Sequence, residues 1–422
     1  MKKVLIITYY WPPAGGPGVQ RWLKFVKYLR EFAIEPVVYI PENPNYPILD
    51  EAIVQEIPKG IKIYKHPIIE PYTLARFLSR KKTKQISSGL IQAENQSLLE
   101  KVMLWIRGNL FIPDARKYWI APSVTFLSTV LKQENITSII TTGPPHSVHL
   151  IGYHLKEKFN LKWIADFRDP WTSIGYHKKL RLTKASQKKH KTLEQLVLNG
   201  ADKILVTSAS TKREFESITN TPISVITNGY DGTYTETKLT SKFTMAHIGS
   251  LLTGRNPQIL WKVLSELVQE NHDFKEALEL QFVGVVSADV LAAIYGYHLA
   301  PFVTVMGYVS HDKALQVQRA SQVLLLIEIN ASETKGILPG KMFEYMAAKR
   351  PILAIGPKKW DAAAIIAETA AGETFNYTQE SDLKALILKW FIAYQKNELS
   401  VSSSHIHQYS RRELTKKLAA EL

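Results

Sequence analysis

Short, nearly continuous apolar runs alternate along this chain with longer stretches whose apolar residues return at helical intervals. Val4–Thr8 is the first such run, and WPPAGGPGVQR follows it. Beyond that loop, Val19, Trp22, Val26 and Leu29 recur with the roughly 3.6-residue period of one helix face. Comparable runs occur at Pro36–Ile40, Ile61–Tyr64, Ile136–Thr142, Leu161–Asp166, Lys203–Thr207 and Ile223–Thr227. After a Thr- and Lys-rich interval, FTMAHIG, Leu280–Val283, Phe302–Met306, Val323–Ile327 and Ile352–Ile355 form a second series. Uninterrupted apolar runs suit strands covered on both faces, and strands alternating with helices predict parallel, doubly wound sheets. Helices are further predicted near Leu383–Tyr394 and in the tail YSRRELTKKLAAEL.

A chain of 422 residues is long for one hydrophobic core. The two strand series divide it into a doubly wound domain over 1–235 and a second over 240–398, joined by Thr233–Lys242, with a terminal helix over about 400–422. With 45% apolar and 22% charged residues the composition is that of a folded globular protein. Cysteine is absent, which excludes disulfides and thiolate metal sites and is compatible with a reducing cytoplasm. The opening MKKVLIITYYWPP reads as a first strand rather than a signal peptide, and no apolar stretch is long enough to predict a membrane-spanning helix.

Charge changes the picture because it is one-sided. Of the net +15, residues 1–240 carry 34 Lys/Arg against 20 Asp/Glu, whereas 241–400 carry 15 against 16. A basic first half implies a polyanionic partner, and an insertion from about Tyr72 to Ile120 points to a lipid surface. It combines Arg76, Arg80, Lys81, Lys82 and Lys84 with LLEKVMLWIRGNLFIPDARKYWIAP, where Lys101, Arg107, Arg116 and Lys117 alternate with aromatics. A helical cover over the sheet is the plain alternative. Lys178 to Lys191 form a second basic cluster. No helix-turn-helix, finger spacing or aromatic RNA platform supports nucleic acid.

Candidate chemistry gathers where predicted strands end. Gly15 and Gly16 lie between a strand and a helix start, where backbone N–H groups and the helix dipole favour an anion; Pro17 breaks the dinucleotide-binding spacing. His146 and His149 follow the turn TTGPPH, with a buried structural histidine as the plain reading and no local partners for zinc. In ADFRDPW, Asp166 or Asp169 can orient or deprotonate a hydroxyl, or anchor the loop through Arg168. Asn228 begins the turn NGYD, Gly249 closes a strand, and Arg255 precedes a helix begun near Pro257. In GILPGKMFEYMAAKRPILAIG, Lys341 at a helix start adds a full charge for a phosphate and Glu344 can accept hydrogen bonds from ribose hydroxyls; an ordinary solvated pair is the alternative.

PGKMFEYMAAKRPILA resembles the nucleotide-sugar clamp of the GT-B glycosyltransferases, and of glycosyltransferase family 4 in particular. Those enzymes carry two glutamates separated by seven residues. Glu344 matches the second, but Gly336 stands at the first, with Glu333 a nearby substitute. The resemblance implies a GT-B fold of two Rossmann-like domains facing a cleft, with the helix over about 400–422 crossing back onto the first, and a retaining transfer of sugar from a UDP- or GDP-linked donor to a glycan or lipid-linked saccharide in cell-surface polysaccharide synthesis. It further implies that Gly15, Gly16, Asn228, Gly249, Arg255, Tyr308, Gly336, Ile337, Leu338, Lys341 and Glu344 bind the donor, with His146 near its sugar. Arg255 and Lys341 would grip the pyrophosphate without a metal cofactor, since no Asp-x-Asp motif occurs. The implied location is the cytoplasm, peripheral on the inner face of the cell membrane. A nucleotide-sugar epimerase or hydrolase is the alternative enzyme, and a basic nucleic-acid-binding protein the non-enzyme one.

Overall fold

A computed structural model describes residues 1–70, 98–232 and 237–422. The chain divides into two compact units, Met1–Asn228 with Arg411–Leu422, and Gly229–Ser410. The basic run Arg76 to Lys84 lies outside the described residues, as does part of the expected linker.

The first unit is built on β1 (Lys2–Thr8), β2 (Ile34–Pro41), β3 (Lys62–His66), β4 (Ser138–Gly143), β5 (Lys162–Phe167), β6 (Lys203–Val206) and β7 (Ile223–Val225). All pair in parallel, in the order β3-β2-β1-β4-β5-β6-β7. Period-two alternation explains why the strands read as continuous apolar runs: Val4 and Ile6 enter one core, Leu5 and Ile7 the other. The first core is closed by the helices Pro17–Leu29 and Arg411–Glu421, through Trp22, Phe25, Val26, Leu414 and Leu418. The second is closed by Ile120–Glu134, Ser147–Lys158 and Lys184–Gly200, with Trp163 and Phe167 at its centre.

The second unit repeats the plan with β8 (Phe243–Ile248), β9 (Leu278–Val283), β10 (Val303–Gly307), β11 (Val323–Ile327), β12 (Ile352–Ile355) and β13 (Gly372–Phe375), all parallel, in the order β10-β9-β8-β11-β12-β13. Met245 and Leu325 face a core shared with the helices Gln258–Glu270 and Glu380–Gln395, whereas Ala246, Leu324 and Leu326 face Gly340–Ala347 and Asp361–Glu368. Edge strand β13, GETF, has no fully buried residue, so its sequence lacks the apolar run that marks the others.

A fully buried ion pair ties the first unit together. Arg21, on the first helix, donates to Asp166 Oδ1 at 3.0 Å and to the Thr227 carbonyl at 2.6 Å. Trp22 Nε1 and Thr142 Oγ1 each donate to Asp166 Oδ2 at 2.8 Å. The helix, β4 and β5 are thus joined at one carboxylate, and Arg21 ties the segment after β7 to it. An uncompensated charge left in such a place is costly, so Arg21→Met is expected to destabilise the protein by about 3–5 kcal/mol in denaturant unfolding.

Candidate functional site

In a doubly wound sheet the strand order reverses at one point, and the loops leaving the two strands there diverge to opposite faces, opening a crevice at their carboxyl ends. In the second unit that point lies between β8 and β11. Glu328 follows β11 directly and is fully buried, and Arg255, in the loop after β8, places its terminal nitrogen 3.0 and 3.2 Å from the two carboxylate oxygens. The Tyr377 hydroxyl donates to the Glu328 carbonyl at 2.7 Å and fixes the backbone beneath the pair.

Lys341 approaches the same end of β8 from the first turn of Gly340–Ala347, its Nζ 2.9 Å from His247 Nε2. The helix is held there by Tyr345, whose buried hydroxyl accepts from the Ile248 N–H at 2.8 Å. Loss of solvation, then the nearby Arg255 cation, pushes the Lys341 amine down to about 7, with Glu328 opposing. His247 is held neutral by burial and then by Lys341. The crevice therefore combines two cations, one carboxylate already paired, and a helix start.

Backbone geometry draws the strand ends together beneath the crevice. Gly249 and Gly284, which end β8 and β9, have φ of +103° and +109°, and the Gly249 N–H donates to the Val283 carbonyl at 2.7 Å. Gly284 packs so closely that a Cβ on it would lie 2.9 Å from the Gly249 carbonyl carbon.

The other expected ligands of this unit lie around these. Gly336 and Ile337 form the loop before the helix, pinned by a 2.7 Å bond from Trp360 Nε1 to the Ile337 carbonyl. Leu338 is buried in the core, which leaves its backbone for contacts. Glu344 diverges from Lys341: it accepts from Gln318 Nε2 at 3.2 Å, stands 3.9 Å from His311 Nε2, and borders a pocket of about 310 Å³ shared with Tyr230, Arg319 and His407. Tyr308, after β10, is 88% exposed. Glu333 is exposed and takes a hydrogen bond from Ser332.

Gly15, Gly16, His146, Asp166, Asp169 and Asn228 belong to the first unit. Gly16, with φ of +114°, precedes the first helix, and the Gly15 N–H donates to the Ile48 carbonyl at 3.1 Å. The His146 ring stacks on Trp171 at 4.4 Å; burial first, then neighbouring histidines, hold it neutral, and neither ring nitrogen has a partner among the described residues. His149 bonds Thr141 at 2.9 Å and stacks on Phe167. No group of three or more His, Cys, Asp or Glu side chains placed to hold a metal ion occurs among the described residues. Asp166, with three donors and no exposure, is a structural anchor rather than a carboxylate open to a hydroxyl. Asp169 is half-buried, and its carboxyl is pushed upward by desolvation, which Arg168 opposes. Asn228 follows Thr227, whose carbonyl Arg21 holds.

Sequence reasoning missed Glu328 and His247. Glu328 had a signal, an acidic residue ending the apolar run VLLLI; His247 sits inside FTMAHIG and looks like any strand residue. It also missed Asp114, which caps Ser147–Lys158 by accepting from the Ser147 N–H at 2.8 Å.

No protein-family model and no curated protein sequence matches the chain. Solved structures do. The lipopolysaccharide outer core galactosyltransferase WaaB in its apo form aligns over 100% of both chains at 14% identity and a TM-score of 0.59. HepE from Anabaena, solved in complex with UDP-glucose, aligns over 100% of this chain and 95% of its own, at 13% identity and 0.56. TarM aligns over 100% of this chain and 98% of its own, at 13% and 0.61. At these identities the likeness is one of fold: the chain has the GT-B architecture of two parallel-sheet, Rossmann-like α/β domains.

Gly284→Ala tests the backbone frame of the crevice. It combines a strained φ with backbone overlap, and unfolding measurements should show a loss of about 1–3 kcal/mol.

Proposed function

We propose that this chain is a glycosyltransferase that moves a sugar from a nucleoside-diphosphate donor to a saccharide acceptor. The observation that carries the reading is the pairing of Arg255 and a partly neutralised Lys341 at the switch point of the second sheet. Part-buried cations beside a helix start suit a pyrophosphate, whose departing charge is the main electrostatic demand of sugar transfer. The UDP-glucose in the HepE structure supports a nucleotide sugar as donor, and the fold likeness to WaaB a saccharide acceptor.

In this reading Arg255, Lys341 and the start of Gly340–Ala347 hold the diphosphate, while Glu344 receives the ribose hydroxyls. Gly249, Tyr308 and the Gly336–Leu338 backbone border the nucleotide. The two cations supply the stabilisation that a divalent ion provides in other transferases, so the reaction proceeds without a metal cofactor. Retention and membership of family 4 follow from the clamp resemblance in PGKMFEYMAAKRPILA; the anomeric configuration of the product, read by NMR, tests the first. In the first unit, Asp169 replaces Asp166 as the carboxyl able to take the acceptor proton, because Asp166 is committed to Arg21.

The acceptor we favour is a lipid-linked saccharide, with the protein bound peripherally at the inner, cytoplasmic membrane face. Leu98, Val102, Trp105, Ile106 and Leu110 share one side of the helix Leu98–Leu110 and are all exposed. Leu104, facing the other way, packs on Leu180, and Asn109 bonds the backbone of Arg181 and Thr183. The apolar stripe thereby lies beside a helix start rich in exposed lysines, Lys184, Lys188 and Lys189. No described helix is long and apolar enough to cross a membrane. Trp105→Glu with Leu110→Glu should abolish co-sedimentation with phosphatidylglycerol-containing vesicles while leaving the melting temperature within about 2 °C, since surface substitutions cost little.

A melting panel with UDP, GDP, ADP and dTDP and their sugars tests the donor site. One nucleoside diphosphate at about 100 times its Kd should add about 2.7 kcal/mol, or about 5–10 °C. Arg255→Ala and Lys341→Met should each lose most of that gain. Product that forms without any acceptor would favour the epimerase or hydrolase, and no response to any nucleotide would remove the reading.

A further inference from the structure

The pairing of Lys341 with a histidine has a chemical cause that can be followed. His247 is completely buried near the end of β8. Its Nδ1 lies 3.0 Å from the Leu325 carbonyl oxygen, which can only accept, so Nδ1 carries the ring proton and Nε2 presents a lone pair. The Lys341 amine, 2.9 Å away, donates to that lone pair. Lys341 is therefore bonded to a neutral ring rather than to a carboxylate.

The charges facing the pair explain why. Glu328, from β11, is engaged by Arg255, from the loop after β8. Tyr377, from beyond β13, and Tyr345, on the helix that carries Lys341, are both pushed upward by burial and stay protonated. Glu328 is bonded to Arg255 and only partly offsets a second full cation beside it, so among the described residues Lys341 has no carboxylate bonded to it until a ligand arrives. The imidazole fixes the amine without supplying that offset.

We propose that His247 is a positioning residue for Lys341, holding its amine over the end of β8 so that an arriving diphosphate draws one proton from solvent onto Lys341 as it binds. This rests on Lys341 being a ligand of the diphosphate. The proton comes from water or buffer and its charge is balanced by the phosphate oxygens. Binding is then linked to pH with a definite sign. Below about pH 7 the amine is already charged and no proton is taken up; above it, affinity falls about tenfold per pH unit until the bound state also titrates.

Titration calorimetry of the full chain with UDP-glucose and the GDP-, ADP- and dTDP-linked sugars, whose pyrophosphate diesters lack the terminal phosphate proton that titrates at about pH 6, in buffers of different ionisation enthalpy, reads the protons taken up per ligand. The expected values are about one at pH 8.5 and about a tenth at pH 6. His247→Phe releases the amine toward solvent, where it stays charged, so uptake at the higher pH should fall to below about a third of a proton and the pH slope of affinity should flatten. His247→Gln, whose side-chain oxygen can accept in place of Nε2, should keep most of the uptake. A merely structural His247 would change the melting temperature and leave uptake at the wild-type value. Wild-type binding with less than about a fifth of a proton taken up at pH 8.5, or full uptake by His247→Phe, overturns the role of His247 and leaves the donor site standing. Failure of the UDP-, GDP-, ADP- and dTDP-linked sugars all to bind overturns both.

Discussion

One amine at the switch point of the second sheet, that of Lys341, bonded to a neutral ring rather than to a carboxylate, governs the second unit. Withdrawing a cation from water is unfavourable unless an anion or strong acceptor meets it, and the parallel sheet gathers two part-buried ones where β8 and β11 part. Glu328 satisfies Arg255, and a neutral imidazole positions Lys341 without matching its charge. The rest of the unit serves that arrangement. Tyr345 and Tyr377 pin the elements that carry the charges, and glycines let the strand ends draw together beneath them. The diphosphate proposed as its ligand would supply the anion that such an arrangement favours, which a neutral sugar would not.

The first unit handles charge in the opposite manner. Arg21 and Asp166 are sealed from solvent, and every oxygen of the carboxylate is met by a donor. Glu70 and Arg116 make a similar buried pair 3.0 Å apart, with the Tyr9 hydroxyl donating to the same carboxylate at 2.8 Å. Both networks hold loops in place. His146 differs: its ring is packed flat on Trp171 yet its nitrogens remain unmet among the described residues, so it keeps hydrogen-bonding capacity that the protein has not used.

Much of this architecture was legible in the sequence because a strand covered on both faces must be apolar throughout. Val323–Ile327 and Ile352–Ile355 were marked to the residue, and most other strands fell within a residue or two. Strand β13 was not, since an edge strand with half-exposed positions has no such run. In the site, Lys341 and Arg255 stood out as cations in Gly- and Pro-containing loops. The sequence could not show that Asp166 is spoken for, because its partner Arg21 lies 145 residues away. Nor could it show that Lys341 and Glu344, three residues apart on one helix, turn to different neighbours. Their spacing fixes an angle between side chains but not what packs against each.

The return of the chain to its first unit has a consequence for biosynthesis. Gly229–Ser410 is one unbroken segment, whereas the core containing Val4, Trp22 and Ile164 also needs Leu414 and Leu418 from the last helix. On the ribosome the later half can thus close on itself while the earlier half still waits with an apolar groove uncovered. The N-terminal half is translated first but is the last to be finished, and it must avoid aggregation for the whole time that the intervening domain takes to emerge.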